Sequence, residues 1–459
     1  MEGHARLAAE KVFRRVLKTI KPNPSEIRDT IRNTNEVMGL LKKIADRSVT
    51  IEVTGSIAKG TNLRGSADID IFMLFDREIS KEVMVGRGMA YAKAVAARRK
   101  HTRFEIKYAE HPYVRVYFDD IGIKLDLTPA YKLSRINDMG TSVDRTPLHT
   151  QFINSHLTDR QRDDVRLLKY LLKAHGLYGA EVKTKGFSGY LCELLVYNFG
   201  SLWKTIEFFS TASPPLSIDA ADRKAGIDPS LEKKFGSGFV VVDPVDPNRN
   251  VAAAVSDSSL ARFVILCKMF VLKPGINTFY QYGVDINKSY AMLSKLIKDT
   301  GAAPHLLKMA VSDKTEDIVW PQLNRVSQIL EKEIEKAGFV VLVSCSWTKG
   351  GYGYILYLSQ PRLLNSRVVK GPSAFAKDYP VRFMKQHGSA YGFIIEEGHI
   401  NAIERNPHPA IEDVIRSFVS SKNSVRSKDL KLGRMRVLRR VPKGCSAEAY
   451  AAVIGRLRI

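Results

Sequence analysis

Cysteine is scarce in this chain. Cys192, Cys267, Cys345 and Cys445 stand far apart, with no CxxC pair and no histidine beside them at ligand spacing. That argues against a zinc site or a disulfide framework and suits a reducing cytoplasm. Long apolar runs are missing too: no stretch approaches the roughly 20 apolar residues that a membrane helix needs, so no membrane role is expected. The opening residues, MEGHARLAAEKVFRRVLKTI, alternate charged and apolar groups with a helical period and lack the pattern of a secretory signal. No GKG-type phosphate loop occurs, since Gly350-Gly351-Tyr352-Gly353 lies between strand patterns and reads as a hairpin turn. Internal repeats, low-complexity segments and Ser-His-Asp or Cys-His arrangements are absent. Acidic residues are in deficit, 48 against 71 Lys and Arg, for a formal charge of +23. Such an excess favours a polyanionic partner, because binding releases counterions condensed on a phosphate chain.

A chain of 459 residues, 44% of them hydrophobic, is sized for two or three domains. Helical patterns cover about Ala5–Val16, Ser25–Ile44 and Ser80–Arg99. Strand patterns cover Val49–Val53, Asp68–Phe75, Arg103–Tyr108, Tyr113–Phe118 and Lys124–Leu127. That composes an α/β head, a mixed sheet with flanking helices, over residues 1–150. A 3.6-residue period then dominates, as in DDVRLLKYLLKAHG and YLCELLVYNFG, and gives a mainly helical neck over 151–260. Residues 214–250 read as loop and short strand. An α+β region fills 261–459, with a helix over Gln322–Ala337 and strands such as FVVLVSCSW and YGYILYLS. The cluster Tyr352, Tyr354 and Tyr357 reads as core packing. Lys and Arg crowd the stretch from Lys422 to Lys443, which reads either as a solvated tail or as an arm touching RNA.

The most informative pattern is Gly55-Ser56 followed by Asp68-Ile69-Asp70. Residues i and i+2 of a strand face one side, so the two carboxylates point together. A third acid, Asp126, lies in the later strand IKLDLTP. Two carboxylates ~4 Å apart repel by about 4 kcal/mol at an effective dielectric of 20. Divalent cations remove that penalty, and hard oxygen ligands suit Mg2+; two such ions would hold the attacking and leaving oxygens of a phosphoryl displacement. The glycine lets backbone approach a triphosphate, the next helix start offers free N–H groups, and Ser56 and Lys59 add donors. A lone DxD is common. The full spacing is far more specific.

These residues resemble the nucleotidyltransferase superfamily and, more narrowly, the archaeal-type (class I) CCA-adding enzymes. The resemblance runs through TGSIAKGTNLRGSADIDIFMLF, YAEHPYV, SVDRTPLH, DVRLLKYLLKAHGLYGAE, KGFSGYLCELL and VDPVDPNRNVAAAVS, then WPQL and GPSAFAKDYPVRFMKQHG. It implies template-independent building and repair of the 3′ CCA of tRNA from CTP and ATP. Asp68, Asp70 and Asp126 would hold metal, and Gly55, Ser56 and Lys59 the triphosphate. His149, Lys169 and Tyr178 would complete the nucleotide pocket, and Arg249 would read the base edge. The resemblance also implies grip on the tRNA acceptor and TΨC arms and a homodimer. Lys59 stands where relatives often carry Arg, and Asp68 where some carry Glu. Taken alone, Lys169 is an ordinary exposed helix lysine and Tyr178 can simply pack under its helix. His149 can be an idle loop residue, and Arg249 suits a salt bridge or a base contact. His111 recurs in the family as a possible neighbour of the site. A poly(A) polymerase-like or oligoadenylate synthase-like transferase, or a non-catalytic RNA-binding protein, stays open.

Overall fold

The computed structural model describes residues 2–66, 68–98, 102–108, 112–119, 123–133, 141–280, 286–312, 314, 316–420, 429–430 and 436–457. His111 and most of the basic stretch 422–443 lie outside them. The chain divides into two compact units, Met1–Gln281 and Tyr282–Ile459.

In the first unit, β1 (Thr50–Thr54), β2 (Asp68–Phe75), β3 (Thr102–Tyr108), β4 (Pro112–Phe118) and β5 (Ile123–Tyr131) form a mixed sheet of order β1-β2-β5-β4-β3. Only β2 and β5 run parallel within it. The period of two sorts its faces. Ile69, Ile71, Met73 and Phe75 share one core with Val114, Val116, Leu125 and Leu127, under the helices Pro24–Ile44 and Lys81–Ala97. Asp68, Asp70, Arg115 and Asp126, on the alternate positions, are turned to the other face. The helix Pro24–Ile44 opens with a capping box between Asn23 and Glu26, plus a proline in its first turn, where no N–H is missed.

The helices Thr146–His156, Asp159–Ala174, Gly189–Phe199, Leu202–Thr211 and Asp257–Leu272 build a second apolar core. The first helix, Glu2–Ile20, packs into it through Ala9, Phe13, Val16 and Ile20. The stretch 214–250 is more ordered than its Pro, Gly and Asp content suggests. It carries a small sheet, β7-β6-β8, from β6 (Leu216–Asp219), β7 (Lys224–Gly226) and β8 (Phe239–Val242). Each of these strands is three or four residues long, too short for periodicity to register.

In the second unit β9 (Ala303–Ala310), β10 (Val341–Lys349), β11 (Tyr352–Ser359) and a strand at Arg436–Leu438 form one sheet. β10 and β11 join at Gly350 and Gly351, whose φ values of +57° and +74° are those a two-residue hairpin turn demands. Tyr354 and Tyr357 are buried, but Tyr352 is exposed and carries the Lys308 ammonium 3.8 Å from its ring centroid. The helix expected to start at Gln322 instead runs Glu316–Lys336 through Pro321. Proline costs one backbone hydrogen bond there, and burial of Val319, Trp320, Leu323 and Val326 offsets it. A separate sheet combines Ser366–Ser373, Gly392–Glu396 and His399–Arg405.

Candidate active site

One register row crosses the head sheet. Thr54 stands opposite Asp70, Asp70 opposite Asp126, Asp126 opposite Arg115, and Arg115 opposite Glu105. Directly opposed residues share a face, so the row places the Asp70 and Asp126 carboxylates side by side. Asp68, one pleat away, is exposed and sits opposite Lys124, whose ammonium is 4.0 Å from its carboxylate. Arg115 grips Asp126 with a two-pronged fork, Nε to Oδ1 and Nη2 to Oδ2, both at 2.7 Å.

Among the described residues Asp70 has no such partner. Burial, then the charges of Asp126 and Asp68, push its carboxyl up to about 7, against smaller opposing pulls from Lys59 and Arg115. Two half-buried carboxylates side by side, with a guanidinium on the far side of Asp126 only, are short of positive charge. That deficit, with an all-oxygen donor set, fits a hard divalent cation. Among the described residues no three acidic, His or Cys side chains close into a ready cage. Asp126 accepts one hydrogen bond from Arg115 on each oxygen, which leaves a lone pair on each for a cation.

Beside the row, Gly55 takes φ +72°, and a Cβ built on it would lie 1.9 Å from Asp70 Oδ2. Both the backbone angle and the carboxylate therefore demand glycine. The short helix Gly55–Ala58 follows, with Ser56 half-buried in its first turn. Lys59 closes this helix at its C-terminal end.

Lys59 and Lys169 are not surface lysines. Both are buried and both bind Glu193, at 2.8 Å and 2.9 Å. Thr61 Oγ1 donates to the same carboxylate at 2.7 Å and receives the Lys169 ammonium at 2.9 Å. Burial alone would raise the Glu193 carboxyl, but the charges of Lys169 and Lys59 outweigh it and hold it down at about 2. Tyr178 adjoins this group at Gly189, where a Cβ would meet its hydroxyl at 3.0 Å and Lys169 Nζ at 3.6 Å. Burial first, then Cys192 and Glu193, push the Tyr178 phenol well above its ordinary range, so it stays a hydrogen-bond donor.

His149 and Arg249 meet on a second buried acid. His149 Nε2 lies 2.8 Å, and Arg249 Nη1 3.0 Å, from Asp243 Oδ2. His149 is buried inside a helix, Thr146–His156, and is not a loop residue. Desolvation lowers its pKa in spite of Asp243. The Tyr190 ring stacks on His149 at 3.9 Å, with Lys59 at 5.2 Å and Arg249 at 5.9 Å from its centroid. Arg249 also lines a cavity of about 1120 Å3 with Arg145, Gly236, Ser237 and Asn248.

The sequence reading missed Glu193, Asp243, Tyr190 and Arg115. Glu193 had one signal, a lone carboxylate in the apolar helix YLCELLVY. Arg115 interrupts the apolar alternation of PYVRVYF on the same face as the acids. Asp243 looks like any other acid in a Pro/Asp-rich loop.

An αβ sheet that presents paired carboxylates beside a Gly-Ser turn, with buried lysines behind, defines a nucleotidyltransferase, and residues 37–148 match the family model for the nucleotidyltransferase domain. Residues 163–280 match the model for the tRNA nucleotidyltransferase second domain, and residues 300–432 that for the CCA-adding enzyme C-terminal domain. The chain is 32% identical to the CCA-adding enzyme of Methanocaldococcus jannaschii, over 90% of this chain and 91% of that one. For the CCA-adding enzyme of Archaeoglobus fulgidus the identity is 34% over 90% of each chain, and for that of Thermoplasma acidophilum 37% over 72% of each. The chain belongs to the family of CCA-adding enzymes. Membership implies nucleoside triphosphate substrates and use of a divalent metal. A solved structure of the Cid1 poly(U) polymerase is similar at a TM-score of 0.48 and 14% identity, over 59% of this chain and 98% of that one.

Proposed function

We propose that the protein builds and repairs the 3′-terminal CCA of tRNA from CTP and ATP, without a template. The observation that carries the chemistry is Asp70 opposite Asp126, with Gly55 pressed against Asp70. Membership of the CCA-adding family supplies the substrates.

Each residue then has a task. Gly55 lets backbone come close to the triphosphate, and Ser56 donates to it from the first turn of its helix. Lys59 and Lys169 bring positive charge to the triphosphate tail, and Tyr178 donates beside Lys169. Arg249, held by Asp243 beside His149, reads the Watson–Crick edge of the incoming base. Asp68, Asp70 and Asp126 would hold two magnesium ions, whose chemistry when bound is to acidify the primer 3′-hydroxyl and neutralise charge on the departing pyrophosphate. Asp126 would help orient that hydroxyl through the lone pairs that Arg115 leaves open. The C-terminal unit grips the acceptor and TΨC arms by shape and phosphate contact, as A-form RNA invites, and the formal charge of +23 supports that grip.

Among the described residues no helix is long and apolar enough to cross a membrane. None of the four cysteines is in a disulfide, in keeping with the reducing cytoplasm proposed as the working compartment. A homodimer completes the reading, and sedimentation of the purified protein tests it. The test of mechanism is Asp70→Ala: incorporation is lost while tRNA binding is kept. Unchanged incorporation contradicts the mechanism.

A further inference from the structure

Asp243 lies just past β8, and its side chain has no solvent exposure. One oxygen accepts from His149 Nε2 at 2.8 Å and from Arg249 Nη1 at 3.0 Å. The other accepts from the Tyr190 hydroxyl at 3.0 Å and from the Val245 backbone N–H at 3.0 Å. Its own backbone N–H donates to the Arg249 carbonyl at 3.1 Å, so residue 249 is tied to residue 243 by main chain and side chain alike. A carboxylate has about four acceptor sites, and all of them are taken. Asp243 therefore has nothing left to offer a ligand.

Arg249 is in the opposite position. One of its guanidinium nitrogens is committed to Asp243, and the side chain remains a third exposed, on the wall of the 1120 Å3 cavity. A guanidinium only donates hydrogen bonds. On their Watson–Crick edges cytosine and adenine present an unprotonated ring nitrogen, whereas uracil and guanine present an N–H at that place. A fixed, donor-only group accepts the first pair of bases and meets the second pair donor against donor. The selection works only while the guanidinium cannot turn away.

We infer that Asp243 is a specificity-determining positioning residue: by locking Arg249 it limits the pocket to bases whose edge accepts a hydrogen bond, which is to say CTP and ATP against UTP and GTP. The inference rests on Arg249 as the base reader. Asn in place of Asp243 would turn an amide N–H2 against two of the four donors, and Arg249 would lose its anchor or its neighbours theirs.

The experiment measures kcat/KM for CTP and for UTP on tRNA lacking its CCA, for wild type, Asp243→Asn, Arg249→Gln and the double variant, after thermal melts establish folding. Both single variants are expected to lose at least about tenfold in CTP-over-UTP selectivity, equivalent to ~1.4 kcal/mol. The double variant is expected to lose no more than Arg249→Gln alone, because Asp243 acts through Arg249. Retained selectivity in Asp243→Asn, with selectivity lost in Arg249→Gln, overturns the inference and leaves the base-reading role standing. Retained selectivity in Arg249→Gln overturns both. If Asp243→Asn does not fold, Asp243→Glu carries the same test, since it keeps the charge but moves it by one methylene.

Discussion

The ammonium of Lys59 lies 2.8 Å from the carboxylate of Glu193, and both side chains are almost sealed from solvent. The pair joins the head to the helical neck, since Lys59 follows the Gly-Ser turn and Glu193 lies in the helix Gly189–Phe199. Lys169 sits on the other oxygen, so the cluster carries a net positive charge where the triphosphate tail is expected.

Removing that anion should be costly. Glu193→Gln leaves two buried ammonium groups without a counter-charge, and breaking a buried pair in this way costs about 3–5 kcal/mol. A lowered melting temperature is expected, with a raised KM for nucleotide. The pH dependence has a definite sign. Glu193 titrates at about 2 when folded, below its ordinary 4.5. Its stabilising contribution is therefore complete above pH 4.5 and is lost as pH falls from there towards 2. Acid unfolding should be less steep in the Gln variant, and melts between pH 5 and pH 2 will tell.

Asp70 predicts the reverse slope in protein stripped of divalent cations. Its folded pKa of about 7 is above its ordinary 3.8, so its contribution is complete below pH 3.8 and is lost as pH rises through 7. Magnesium should raise the melting temperature more at pH 8 than at pH 6. Asp70→Asn should melt higher than wild type at pH 8 without the ion and gain little when it is added. A wild-type melt indifferent to magnesium at pH 8 speaks against a cation at this row.

Gly55→Ala should abolish incorporation while leaving the fold standing. The positive φ costs about 1–3 kcal/mol for any other residue, and the new methyl group displaces the Asp70 carboxylate that it would otherwise overlap. A folded Gly55→Ala variant with wild-type kcat refutes the role given to this turn.

The carboxylates were legible in the sequence because a strand's period is fixed: Asp68 and Asp70 had to share a face, and the apolar neighbours of Asp126 marked a strand. The register that sets Asp70 opposite Asp126 was not legible, because strand pairing is a long-range choice. Lys169 was misleading for a related reason. Its helix has a clear apolar face, and nothing local reveals that Glu193, 24 residues on, lets a lysine be buried there. The Asp243 site depends on three separate segments meeting, so no single one of them announces it. Residues 214–250 read as loop and short strand, but the pairing of those strands into one sheet was not legible, because they are shorter than the window that periodicity needs.

Binding of tRNA should weaken steeply with salt. Each phosphate contact made by Lys or Arg contributes about −0.7 to −0.9 to the slope of log K against log salt. A slope of several units is expected in Asp70→Ala as in wild type, because that substitution leaves the basic surface alone. Filter binding from low to physiological salt measures it, and a flat dependence contradicts RNA as the partner of the excess charge.

The most direct measurement is incorporation on tRNA lacking its last three nucleotides, with magnesium and labelled CTP or ATP, separately and together. The account predicts two additions from CTP, one from ATP after them, and then arrest. Long A tails from ATP alone, or tRNA binding with no incorporation at all, would contradict it.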